Sequence, residues 1–267
     1  MSLALPRVLI VQTGTALPEL RARRGDFPDW FRRGLALPHA AIEVLRVQSG
    51  DPLPPPRAFA GVVVTGSSAM VSERHPWSES AAEWLRATVA AEVPVLGICY
   101  GHQLLAHALG GSVDYHPGGR EVGTVEIERL PTADADPLLA VAPARFLAHA
   151  SHRQSVLALP PGAVVLARSA HDPHHAVRYA PRAWGLQFHP EFSVDVMRGY
   201  LRRRVPSVDC AAACCLHRTS APAPHARRLL RRFRRLALDA WVSRCDAGGH
   251  AGSRRVDHPG ATRKDRR

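Results

Sequence analysis

Four short β-branched runs punctuate the first hundred positions: 7–12 (RVLIVQ), 42–47 (IEVLRV), 61–65 (GVVVT) and 93–98 (VPVLGI). They are unbroken rather than alternating, the pattern of strands covered by helices on both faces, and they predict buried parallel strands. Between the third and fourth runs, residues 76–92 open on Pro76 and place Ala81, Trp84, Leu85 and Val89 near helical spacing. Residues 102–109 predict a second helix, stopped by Gly110-Gly111 acting as a C-cap. This alternation of strand and helix argues for an α/β, doubly wound, mostly parallel central sheet.

From Gly123 onward the pattern changes. Segments 124–128, 145–148, 163–167 and 176–179 are joined by turns bearing Pro and Gly, and they predict an antiparallel extension of the sheet. Residues 184–188 return as a strand and 195–204 as a helix. Beyond 204 the regularity weakens, so the expected organisation is a catalytic-type domain at 1–204 and an Arg-rich, loosely attached tail at 205–267. Within that tail a helix is expected at 226–241, where Leu229, Phe233, Leu236 and Ala240 form an apolar stripe flanked by arginines.

Charge sharpens this division. The chain has 267 residues and a formal net charge of +12. Residues 1–201 hold 18 Arg, no Lys and 18 Asp plus Glu, so the whole excess falls after residue 201. A nucleic-acid partner is not expected, because no aromatic interleaving or reader motif accompanies the basic helix; a solvated or docking helix fits it better. No apolar run approaches the roughly 18 residues of a membrane span, and the first residues lack the basic and apolar regions of a signal peptide, so a cytoplasmic protein is expected. Cysteine follows the same division: Cys99 stands alone in the first part, while Cys210, Cys214, Cys215 and Cys245 lie in the tail.

Cys99 carries the main chemical signal. Residues 95–103 (VLGICYGHQ) run a predicted strand straight into a helix, with Gly97 and Gly101 two positions either side of the cysteine. On such an elbow the side chain projects above the sheet, and the flanking glycines let strand and helix approach without Cβ clashes. Helix N-terminal amides lower a thiol pKa, and the Tyr100 amide is placed to bind an oxyanion. A lone cysteine at a strand end is more often a small buried residue. The second element, 187–191 (QFHPE), shifts that balance. His189 and Glu191 are two apart in an extended segment and project to the same side, where the carboxylate orients the imidazole that takes the thiol proton.

The segments GICYGHQ at 97–103 and HPE at 189–191 resemble those of the class I glutamine amidotransferases, whose triad runs Cys, His, Glu in this chain order. The resemblance covers roughly residues 7–201. It implies a flavodoxin-like three-layer fold and a cysteine-dependent hydrolysis of a side-chain amide, with Cys99, His189 and Glu191 as the triad. VVVTGSS at 62–68 is similar to the family's oxyanion strand, which implies that the Gly66 amide joins that of Tyr100. By the same likeness Gln103 would contact bound glutamine, and His152 belongs to the substrate site. The variant TGSS is similar to stand-alone members related to the amidotransferase domain of GMP synthase, including γ-glutamyl peptidases. SHRQSV at 151–156 falls where many members carry Ser-His-x-Asp, and the missing acid bears on synthetase contact or on recognition of the substrate amine.

The resemblance implies glutamine or a γ-glutamyl amide as substrate and, as a partner for released ammonia, a separate synthetase subunit. A non-catalytic protein docking through its basic tail is the rival reading. Residues 1–201 contain no Gly-x4-Gly-Lys-Ser/Thr phosphate loop, and the hydrolysis needs neither an organic cofactor nor a metal. Cys210, Cys214, Cys215 and His217 do not match a common zinc spacing, and His171, His174 and His175 sit in a Pro-containing turn that reads as a solvated loop.

Overall fold

The computed structural model describes residues 6–205 and 219–250. A nine-stranded sheet runs in the order β2-β1-β3-β4-β11-β10-β9-β6-β7. Its first five strands are β2 (Ile42–Arg46), β1 (Val8–Gln12), β3 (Gly61–Val64), β4 (Val95–Ile98) and β11 (Ala183–Leu186), all parallel. β10 (Ala176–Ala180), β9 (Val164–Arg168), β6 (Glu121–Arg129) and β7 (Arg145–His152) continue it antiparallel. The doubly wound sheet with its antiparallel extension therefore matches the expected fold class. A separate two-stranded ribbon pairs β5 (Ser112–Tyr115) with β8 (Gln154–Ala158).

Helices cover both faces. Side chains of β1 alternate between two cores, Val8 and Ile10 facing one and Leu9 and Val11 the other. Unbroken apolar runs follow from this in β1, β3, β4 and β11, which are buried throughout, while the edge strand β2 leaves Arg46 exposed. On one face α3 (Pro76–Ala90) and α4 (Tyr100–Ala108) supply Leu85, Leu104 and Leu105. On the other, α1 (Pro18–Arg24), α2 (Phe27–Leu35) and α5 (Val194–Arg204) supply Leu20, Phe31 and Met197. Asp26 caps α2, and Pro28 sits in its first turn, where a missing N–H costs nothing.

The last described element departs from expectation. Helix α6 (Pro224–His250) contains the expected 226–241 segment and extends past both its ends. Ala226, Leu229, Leu230 and Phe233 are fully buried in the same core as Phe31, Leu35 and Trp184. The fit is close: a Cβ on Gly34 would lie 2.3 Å from Leu230 Cδ1, and one on Gly61 would lie 2.8 Å from Ala237 Cβ. A division at 204 into a folded part and a loosely attached tail is thus not how 224–246 pack. The apolar stripe that sequence shows is a docking face, and Arg227, Arg228, Arg231 and Arg235 occupy the exposed side. Cys210, Cys214, Cys215 and His217 lie outside the described residues. Among the described residues no helix is long and apolar enough to cross a membrane.

Candidate active site

Cys99 stands between β4 and α4 with φ 50° and ψ −103°, a left-handed conformation that costs a non-glycine residue energy and persists only where its surroundings enforce it. The enforcement is backbone against backbone. A Cβ on Gly97 would lie 2.4 Å from the Gly101 carbonyl oxygen, and one on Gly101 would lie 2.4 Å from that of Val64. The Cys99 amide donates to Leu186 O at 2.8 Å, tying the elbow to β11, and the Gln103 amide donates to Cys99 O at 3.0 Å to start the helix.

β11 leads directly to the second part of the site. Past its end, the His189 amide donates to His149 O at 2.7 Å, and His189 Nδ1 lies 2.7 Å from Glu191 Oε1. Phe192 stacks on the imidazole with ring centroids 4.1 Å apart, and Tyr200 stacks in turn on Phe192. With Nδ1 held by the carboxylate, Nε2 is the ring nitrogen left for Cys99. Burial opposes charge on His189, yet Glu191 and then Cys99 overcome it and push its pKa up to about 10. Burial likewise pushes the Cys99 thiol up, but His189, through charge and hydrogen bond, and then His152 bring it below its ordinary value. The pair is therefore arranged as a thiolate and an imidazolium.

Gly66 closes the third side. A Cβ there would lie 3.0 Å from His189 Cε1 and 3.8 Å from Cys99 Cβ. The direction of its amide is set through Thr65, whose carbonyl accepts from Thr13 Oγ1 at 2.8 Å and from the Gly101 amide at 3.2 Å. In a trans peptide the N–H points opposite to that carbonyl, so the Gly66 amide is turned away from both donors. Among the described residues neither the Gly66 nor the Tyr100 amide has a protein acceptor. Thr13, 52 residues before Thr65, is a positioning residue that sequence reading missed, as is Phe192.

The pattern of the Glutamine amidotransferase class-I family matches residues 31–205. The chain belongs to the class I glutamine amidotransferases. Over 131 residues it is 45% identical to a glutamine-hydrolyzing GMP synthase of Thermomicrobium roseum, a match spanning 49% of this chain and 23% of that protein. Over 190 residues it is 38% identical to the glutamine-hydrolyzing GMP synthase of Aeropyrum pernix, spanning 70% of this chain and 33% of that protein. In structure it is similar to a glutamine amido transferase of Methylobacillus flagellatus, with a TM-score of 0.64, 25% identity, and coverage of 90% and 95% of the two chains. The matches thus span a third or less of the length of these two synthases.

Two expected substrate contacts of this amidotransferase look different in the structure. Gln103 lines the cleft beside Cys99, but its Nε2 is spent inside the protein, donating to Gln154 O at 2.6 Å and Gln187 Oε1 at 2.9 Å. The His152 side chain is 1% exposed and both ring nitrogens have partners, Gln154 O at 3.0 Å and Glu121 Oε2 at 2.8 Å. A direct hydrogen bond from this ring to substrate is not what the geometry offers. Gln154, in place of the family's acid, is also committed, with its Nε2 on Ser72 Oγ.

The cleft has features that the sequence did not reveal. A cavity of about 220 Å³ over Cys99, Ser67 and His189 also reaches Arg21 and Arg204. The adjoining recess beside Cys99 and Gln103 is bordered by Arg120, Arg153 and again Arg204. Burial, then Arg204 and Arg153, hold the Arg120 pKa below its ordinary value. No carboxylate lines either space, so the cleft is strongly cationic. A larger cleft of about 560 Å³, lined by Arg23, Arg24, Arg33 and Arg227 together with Asp29, Glu191 and Ser193, does not include Cys99.

Proposed function

We propose that this chain hydrolyses the side-chain amide of glutamine through a thioester on Cys99. The observation that carries the reading is the strained elbow itself, which holds the thiol against His189 and Gly66 in a conformation that its backbone surroundings enforce. Cys99 Sγ attacks the amide carbon, a C–S bond forms, and the carbonyl electrons move to an oxygen received by the Gly66 and Tyr100 amides. His189, carrying the thiol proton, gives it to the leaving nitrogen, and the C–N bond breaks to release ammonia. Water then attacks the thioester, its proton passes through His189 back to sulfur, and glutamate leaves. Glu191 holds the His189 ring in register and stabilises its charge throughout.

A second substrate class draws support from the arginines of the cleft. Free glutamine has one carboxylate and one ammonium, whereas a γ-glutamyl peptide carries a further carboxylate. Four arginines and no acid around Cys99 suit the more anionic substrate. When glutamine is used, the fate we assign to the nitrogen is transfer as ammonia to a separate synthetase. Ammonia from glutamine and amine from γ-glutamyl peptides, measured with wild type and with Cys99→Ala, test these readings together. Equal rates for the two proteins would refute the thioester route, and the preferred substrate separates amidotransferase from peptidase. Glutaminase activity that appears only on adding a synthetase would remove the stand-alone version.

A further inference from the structure

Glu121, His152 and His175 are the one group of three metal-ligating side chains that meets among the described residues, and the spacing decides what joins them. His152 Nε2 at 2.8 Å and His175 Nε2 at 2.6 Å approach the same oxygen, Glu121 Oε2. Nitrogen and oxygen on a common tetrahedral metal stand roughly 3.3 Å apart, given bonds of about 2.0 Å to 2.2 Å. The observed separations are those of charge-assisted hydrogen bonds. Glu121 Oε1 accepts from Ser169 Oγ at 2.8 Å, so both carboxylate oxygens are engaged.

Donor and acceptor rules then fix the state of His152. Its Nδ1 lies 3.0 Å from the Gln154 carbonyl oxygen, which can only accept, against 3.4 Å from the Ser155 hydroxyl, so the nearer partner requires a proton on Nδ1. That carbonyl also accepts from Gln103, which holds its direction. Nε2 faces a carboxylate that His175 and Ser169 also use as an acceptor, so Nε2 carries a proton as well. An imidazole with two N–H groups is an imidazolium. The ring borders the same recess as Cys99.

We propose that Glu121 and the Gln154 carbonyl hold His152 as a buried imidazolium whose charge favours the Cys99 thiolate independently of His189, making Glu121 and His152 positioning residues for the nucleophile. The ionisable groups around the ring are Glu121 from β6, Cys99 at the elbow, His102 from α4, Asp172, His171 and His175 from the β9–β10 loop, His116 from the β5–β6 loop, and Arg120, Arg153 and Arg204 along the recess it shares with Cys99. Burial opposes charge on His152 and Glu121 overcomes it, raising the His152 pKa. Burial also raises Glu121, but the His152 and His175 bonds take it well below the usual carboxylate range. His102, by contrast, is held neutral, its pKa lowered by burial to about 3.

The inference rests on Cys99 being the nucleophile of the proposed hydrolysis, yet the ring's protonation is readable without turnover, so the two fail separately. In the full chain labelled with ¹⁵N-histidine, a histidine other than His189 should show both ring nitrogens protonated at pH 8 in wild type, and it should keep both in Cys99→Ala, where His189 has lost its thiolate partner. Its signals should vanish in His152→Gln, which assigns them. Glu121→Gln should slow iodoacetamide alkylation of Cys99 about tenfold at pH 6 while leaving the rate at pH 10 unchanged, as a rise in the thiol pKa requires. His152→Gln should do the same, and it carries the test should Glu121→Gln fail to fold. A His152 ring found neutral at pH 8 overturns the proposal, as do Cys99 alkylation profiles that coincide in wild type and variants.

Discussion

Around Cys99 the chain meets itself backbone to backbone, whereas α6 is held through its side chains, apolar ones in the core and Arg232, Arg234 and Arg244 on main-chain carbonyls. At Gly97 and Gly101 the atoms in the way of a Cβ are carbonyl oxygens at 2.4 Å, which cannot rotate aside. At Gly34 the obstacle is Leu230 Cδ1, the far end of a flexible side chain. The family pattern follows the same line: it ends at residue 205, before α6 begins. A site fixed by main-chain geometry is written in a short motif and admits few residues. A docking face needs only apolar volume at helical spacing, and many sequences supply that.

The comparison is most sharply broken at the elbow. Cys99→Ala should lower ammonia release about ten-thousandfold with the thermal midpoint unchanged, since the side chain is small and its partners are catalytic. Gly101→Ala should lose comparable activity and also stability, by on the order of 3 kcal/mol, because β3 or α4 must move. Its counterpart, Gly34→Ala, should cost about 1–2 kcal/mol by displacing Leu230 and keep turnover. Denaturant melts with parallel ammonia assays measure all three. Loss of activity in Gly34→Ala equal to that in Gly101→Ala would erase the distinction.

On the α6 side, Phe233→Ala should destabilise the protein by about 3–5 kcal/mol, since the ring is fully buried against Trp184. Turnover per folded molecule should stay within about twofold. Substitutions on the exposed face, such as Arg231→Glu, should change stability by less than about 0.5 kcal/mol. The elbow also has a pH signature that α6 lacks. Cys99 is lowered and His189 raised, so the ion pair exists above the thiol's pKa and below that of the imidazole, to about 10. Alkylation of Cys99 should therefore remain fast below the ordinary thiol range near 8.5, and His189→Gln should slow it about tenfold or more at pH 7.

What the sequence made legible follows from how local each signal is. The elbow, the His189 and Glu191 pair, the parallel strands and the antiparallel extension all lie within a few residues of their own cues. The α2 helix escaped notice because its apolar residues crowd around Pro28, and β5 and β8 because their ribbon is short and half exposed. Contacts that span the chain were invisible: Thr13 reaches Thr65, Glu121 gathers His152 and His175, and α6 returns to Gly34. For Gln103 and His152, motif position shows proximity to the site but not where a side chain's hydrogen bonds go.

The central claim is that Cys99 is the nucleophile toward a γ-glutamyl carbonyl. An electrophilic glutamine analogue, followed by intact mass and peptide mapping of the full chain, tests it directly. The account predicts one adduct per chain, located on Cys99, slowed by excess glutamine or γ-glutamyl peptide and absent in Cys99→Ala. An adduct on Cys245 or another residue with Cys99 unmodified, or no adduct in folded protein, would contradict it.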